Sequence, residues 1–236
     1  MKTILLKFAG PLQSWGTSSH FETRHTDFYP SKSAVIGVIA ASLGYRRNED
    51  EKIKKLNELD FAVRLDQQGN LLRDWHIAKS DKRKGPYTTN RYYLEDAVFV
   101  VAISHQDHAF MQMIEDGLRS PYFQPFMGRR ACPLPVDFII QVTNDSALDS
   151  LRQLNWQAAA WYMKRRSSDD RISLEIYTDS YLTEKESYQL RQDKVLSFSQ
   201  KGRKFGFRYE ARLSVDVLNP FQKNRTEHDI FNSIGD

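Results

Sequence analysis

Residues 34 to 43, from Ala34 to Leu43, contain no charged side chain and follow directly on Pro30, Ser31, Lys32 and Ser33. A helix that is apolar nearly all round must be covered on every side, so this stretch has to lie between layers of the fold. Ser31 after Pro30 has the chemistry of an N-cap and Gly44 that of a stop, which predicts a helix over 31–43. Ahead of it, Thr3 to Phe8 is rich in Ile, Leu and Phe and reads as a strand. Between the two lies a loop interrupted by Gly10 and Pro11 that carries Gln13, Ser14 and Trp15. Free N–H groups at a helix start favour an anion, so strand, loop and helix mouth together form a candidate phosphate site.

The 236 residues are 40% hydrophobic and 27% charged, an ordinary globular composition able to bury a core. No apolar run approaches the roughly 18 residues that span a bilayer, and residues 1–7 read as a first strand rather than a signal peptide. No membrane partner and a cytoplasmic location are the expectation. The single cysteine, Cys132, excludes an internal disulfide framework and a multi-cysteine zinc site; no metal or other cofactor is expected. The net charge of +4 is mild, but the cations are clustered: Lys79, Lys82, Arg83 and Lys84; Arg129 and Arg130; Lys164, Arg165 and Arg166; then Lys201, Arg203, Lys204, Arg208 and Arg212. Interleaved with Trp, Tyr and Phe, such clusters fit either a nucleic-acid grip or solvated faces.

Further along, a charged helix is predicted over 48–59 and a strand over 61–65. A long hairpin spans 66–95 with a mobile tip around Gly85 and Pro86, and a core strand runs over 91–104. Phe110 to Leu118 reads as a helix. The order strand, helix, strand, hairpin, strand, helix is that of the split βαβ, or ferredoxin-like, arrangement. Pro121, Pro125, Pro133 and Pro135 then mark a break. The expectation is an α+β chain: a ferredoxin-like domain over 1–135 and a smaller β-rich domain over 136–221, with Gln157 to Met163 read as a strand and a frayed tail at 222–236.

The block from Ala9 to Gly16 and from Pro30 to Gly37 resembles the CasD family of type I-E CRISPR systems, in the RAMP superfamily. Arg73 to His76, Arg91 to Ala97 and Gly128 to Leu134 follow in that family's order and spacing. The resemblance implies a modified RNA-recognition-motif domain with a protruding thumb hairpin, plus a small β-rich C-terminal domain. It also implies a non-catalytic subunit of the Cascade surveillance complex that caps the 5′ handle of the CRISPR RNA. Backbone and large subunits would be its protein partners, with target DNA as a further candidate.

The RNA-contact candidates are Gln13, Ser14, Trp15, Arg24, Ser31, Lys32, Ser33, Arg91, Arg129 and Arg130, with Lys79, Lys82, Arg83 and Lys84 on the thumb. Ser31, Lys32 and Ser33 offer hydroxyls, N–H groups and a cation to a phosphate, against simple N-capping by Ser31. Gln13, Ser14 and Trp15 suit an unstacked base, against loop packing. Arg24 is a phosphate clamp or the partner of Glu22 or Asp27. Arg129 and Arg130 follow a glycine that permits close approach, and a planar guanidinium suits phosphate or a base edge. The alternative is a metal-independent endoribonuclease using Tyr45, His76 and Lys79, as relatives in type I-C systems do. Against it, the adjacent Lys-His pair of those relatives is missing here.

Overall fold

A computed structural model describes residues 1–17, 22–79, 85–184 and 187–222. The expected thumb cations Lys82, Arg83 and Lys84 and the tail beyond Gln222 lie outside the described residues. The chain runs β1 (Lys2–Ala9), β2 (Leu12–Gln13), β3 (Thr23–Arg24), α1 (Lys32–Ser42), α2 (Asp50–Lys55), a 3-10 turn (Leu56–Glu58) and β4 (Asp60–Gln67). There follow β5 (Asn70–Ala78), β6 (Tyr87–Glu95), β7 (Val98–His105), α3 (His108–Arg119), β8 (Ile139–Thr143), α4 (Ala147–Gln153) and α5 (Ala160–Arg165). Three strands close the chain: β9 (Arg171–Asp179), β10 (Tyr188–Ser197) and β11 (Lys204–Leu218).

Four of these strands are ordered β4-β7-β1-β8 with every neighbour antiparallel, and α1 and α3 cross one face, which is the ferredoxin-like arrangement. Alternation along β1 explains its central place. Ile4, Leu6 and Phe8 point to α1 and α3, packing with Ile36, Ile39, Phe110 and Ile114, while Leu5 points to the opposite face against Leu148 and Leu151 of α4. Burying side chains such as Val35, Ile36 and Ile39 stabilises the fold by about 1.5–3 kcal/mol each. Ser31 caps α1 by accepting from the Ala34 N–H, and Gly44, with φ of 74°, ends it.

Behind the sheet, Arg64 and Asp66 form a fully buried pair. Arg64 Nη2 sits 2.7 Å from Asp66 Oδ2, and Nη1 donates to the carbonyl oxygens of Leu151 and Leu154. The guanidinium thereby satisfies the otherwise unpaired C-terminal carbonyls of α4. Among the described residues no helix is long and apolar enough to cross a membrane.

Three expectations are corrected. The predicted strand over 91–104 is two strands in different sheets: the chain turns at Asp96, φ 53°, so that β6 pairs with β5 and β7 enters the core. Residues 157–163, read as a strand, hold the start of helix α5. The break expected at 135/136 does not divide the sheet, because β9 pairs with the free edge of β4 and the large sheet continues as β10-β11-β9-β4-β7-β1-β8. The prolines at 121–135 belong to a surface loop in which Phe126 bridges to Pro133. The predicted hairpin is present as β5 and β6, and with β2 and β3 it forms a second, four-stranded sheet.

Candidate nucleic-acid interface

The outermost strands β10 and β11 curl back so that Val195, Phe198 and Phe205 reach the core around α1. Between this returning hairpin, α1 and the loops after β2 and α3 lies a cleft of 1050 Å³. Its floor is the small-residue face of α1, Ala34, Gly37 and Ala41, which lets a ligand come close to the helix. Six arginines line it: Arg24, Arg46, Arg47, Arg129, Arg130 and Arg203. No carboxylate lines it among the described residues, and Tyr45, Phe123, Phe126, Phe198 and Phe205 supply aromatic walls. Guanidiniums in a lining without carboxylates attract an anion, and aromatic walls accept bases, so phosphate and base chemistry are both provided.

Gly128 fixes the position of the Arg129–Arg130 doublet. It has φ of 81°, and a Cβ there would stand 1.5 Å from the Ser14 carbonyl oxygen. Only glycine permits the loop to press against the end of β2, where Ser14 N–H donates to the Met127 carbonyl at 3.2 Å. Arg129 is held by stacking on Tyr93 and by donating from Nη2 to the carbonyl of Arg24; its Nη1 has no hydrogen-bond partner among the described residues. Arg24 and Arg130 are exposed at the rim.

Other expected contacts are placed differently. Gln13 is wholly buried: its Nε2 donates to the Phe8 and Ala97 carbonyls and its Oε1 accepts from the Trp15 indole at 3.0 Å. Trp15 is 1% exposed and stacks on Phe8 with ring centroids 5.3 Å apart. Both have their polar side-chain atoms committed within the protein, which takes Gln13 out of base contact, while Trp15 borders the cleft as a packed ring. Ser14 forms part of the wall but donates its hydroxyl to the Tyr92 carbonyl. Ser31 and Ser33 also line the cleft, their hydroxyls 3.1 Å apart.

Lys32 is turned away from the cleft. Its N–H donates to Asp193 Oδ2 at 2.8 Å and its ammonium pairs with Asp179 at 2.9 Å, both buried. The helix mouth therefore already holds an anion, the protein's own Asp193, and the phosphate role expected for Lys32 is corrected. Around it Arg208 bonds Asp179, Asp193 and Glu210, and Arg191 pairs with Asp27 and Glu210. Burial alone would push the Glu210 carboxyl up, but Arg191, Arg208, the Tyr29 hydroxyl and the Gln189 amide together hold it below the ordinary range.

The comparison that decides the family is a match over residues 3–209 to the model for CRISPR-associated protein (Cas_Cas5). The chain belongs to the Cas_Cas5 family. A curated relative, CRISPR system Cascade subunit CasD of Escherichia coli (strain K12), is 36% identical over 149 residues, 56% of this chain and 66% of that protein, which is just under two thirds of its length. Among solved structures, a chain of a CRISPR RNA-guided surveillance complex superposes with a TM-score of 0.76 at 27% identity, covering 95% of both chains. A crystal structure of a Cas protein gives 0.67 at 27% identity, covering 93% of this chain and 99% of that one.

In this Cas_Cas5 chain the residues of the catalytic alternative are not gathered. Tyr45 lines the cleft, whereas His76 lies on β5 with Nε2 2.5 Å from Asp74 and does not line it; nor does Lys79, exposed beyond the end of β5. Arg91, on β6, stands in register beside Arg24 outside the cleft lining, and its Nε has no partner among the described residues. Sequence reasoning did not single out Arg46 and Arg47, and it placed Arg203 in a basic cluster without naming it as an RNA contact. The Arg46–Arg47 doublet is the same signal as Arg129–Arg130 and was readable. Arg203 enters only because the C-terminal hairpin folds back on α1.

Proposed function

We propose that this chain is a non-catalytic subunit of a type I-E Cascade complex, and that its arginine-lined cleft binds the 5′ handle of the CRISPR RNA. The observation that carries this reading is the charge of the cleft: six guanidiniums, aromatic walls and no carboxylate among the described residues. Family membership and the superposition on a surveillance-complex chain support it. The backbone and large subunits of such a complex are the proposed protein partners, and the cytoplasm the proposed compartment. The non-catalytic part is supported by the separation of Tyr45 in the cleft from His76 on the hairpin. Arg24, Arg129 and Arg130, together with Arg46, Arg47 and Arg203, are the proposed phosphate contacts.

The test is incubation of the purified protein with repeat-derived RNA in EDTA, followed by binding over a salt titration. Intact RNA and salt-dependent binding are expected. Each phosphate contact contributes about 0.7 to the slope of log affinity against log salt on a single strand, so Arg129→Ala with Arg130→Ala should flatten it by about 1.4. Specific cleavage would replace the binder with the endoribonuclease, and an unchanged slope would remove both arginines from the interface.

A further inference from the structure

The hairpin β10–β11 has two faces. Inward, Asp193, Val195, Arg208 and Glu210 are buried or nearly so against the helices and the ionic network. Outward, Tyr188 and Leu190 of β10 and Phe207 and Tyr209 of β11 are each more than half exposed. They form one patch: Leu190 and Tyr209 are directly paired in register, and the rings of Tyr188 and Tyr209 meet at 4.9 Å. Within residues 188–209 the exposed charged side chains are Lys194, Lys201, Arg203 and Lys204, all cations. The one acid in that stretch, Asp193, is buried against Arg208.

Exposed rings on a hairpin whose own exposed charges, Lys194, Lys201, Arg203 and Lys204, are all cations suit single-stranded RNA: unpaired bases stack on the rings while phosphates meet the lysines. Continuity selects the strand. Arg203, at the turn of this hairpin, also lines the cleft, so the outer face begins where the cleft ends. We propose that the outer face of β10–β11 is a second RNA surface, on which Tyr188 and Tyr209, with Phe207, stack unpaired bases of the strand leaving the cleft past Arg203. The identity of that strand rests on the cleft reading given above.

The test uses the full chain with a repeat-derived RNA extended beyond the segment that the cleft holds and carrying photoreactive bases. Crosslinks to Tyr188 or Tyr209 are expected, and Tyr209→Ser should weaken binding about tenfold per stacked base lost while leaving the salt slope unchanged. Tyr209→Phe, which keeps the ring, should bind as wild type. Because Tyr209 is exposed, the thermal midpoint of either variant checks that folding is intact. Unchanged affinity in Tyr209→Ser, or RNA crosslinks that all fall outside this face, would overturn the proposal. The cleft reading fails by a different measurement, an unchanged salt slope in the Arg129→Ala, Arg130→Ala variant.

Discussion

The guanidinium carbon of Arg129 lies 4.3 Å from the centroid of the Tyr93 ring, and that ring is itself buried. The contact aims a planar fork along the cleft wall. Arg129→Lys keeps the charge but loses both the stack and the paired donors, so RNA affinity should drop by about 0.5–2 kcal/mol with little change in salt slope. Filter binding at several salt concentrations measures both quantities. A lysine variant that binds as wild type would leave the stack without a role in binding.

Gly128→Ala should be costly for a different reason. The left-handed backbone alone costs a residue with a Cβ about 1–3 kcal/mol, and the overlap with the Ser14 carbonyl adds to that. Because the loop, not the core, must move, the larger effect is expected on RNA binding. A variant with wild-type melting and wild-type affinity would show that the loop seats without this contact.

Arg64 and Asp66 predict a stability effect remote from the cleft. Arg64→Met leaves a buried carboxylate and the α4 carbonyl groups without their partner, for a loss of about 3–5 kcal/mol in urea unfolding. Asp66 also accepts from the Gln157 N–H, so a paired replacement by apolar residues should recover only part of the loss.

Acid should loosen the ionic network beside the α1 start. Glu210 has a folded pKa held below its ordinary 4.5, so its contribution is complete above that value and disappears as pH falls through the folded pKa. Asp27 acts in the opposite sense: burial raises its pKa despite Thr17 and Arg191, so protonation there relieves a penalty. Thermal midpoints measured downward from pH 6 should fall most steeply below about pH 4.5, and Glu210→Gln should flatten that limb. An equally steep fall in the variant would place the acid-sensitive group elsewhere.

Local chemistry made much of this legible. The helix at 31–43, its Ser31 cap and Gly44 stop, the β5–β6 hairpin and the glycine before Arg129 all follow from neighbours in sequence. Arg24, Ser31, Ser33, Arg129 and Arg130 do converge on one cleft. What sequence did not yield depends on distant partners. Lys32 looks like a phosphate ligand until Asp179, 147 residues away, is seen to claim its ammonium. Trp15 looks like a stacking platform until Phe8 is found against it. Phe198, Phe205 and Arg203 gain meaning only when the last hairpin wraps around α1. The proline-rich stretch read as a break because prolines interrupt strands, yet it forms a loop on a sheet that continues past it.

The pairing of β4 with β9 joins parts of the polypeptide far apart in synthesis, as when the Thr178 hydroxyl donates to the Phe61 carbonyl across 117 positions. While the ribosome is still making the intervening stretch, β4 presents an open row of amides and carbonyls to solvent. Such edges recruit other chains, so a nascent or shortened form ending before Arg171 is prone to self-association. Late translation therefore caps the molecule's own adhesive border.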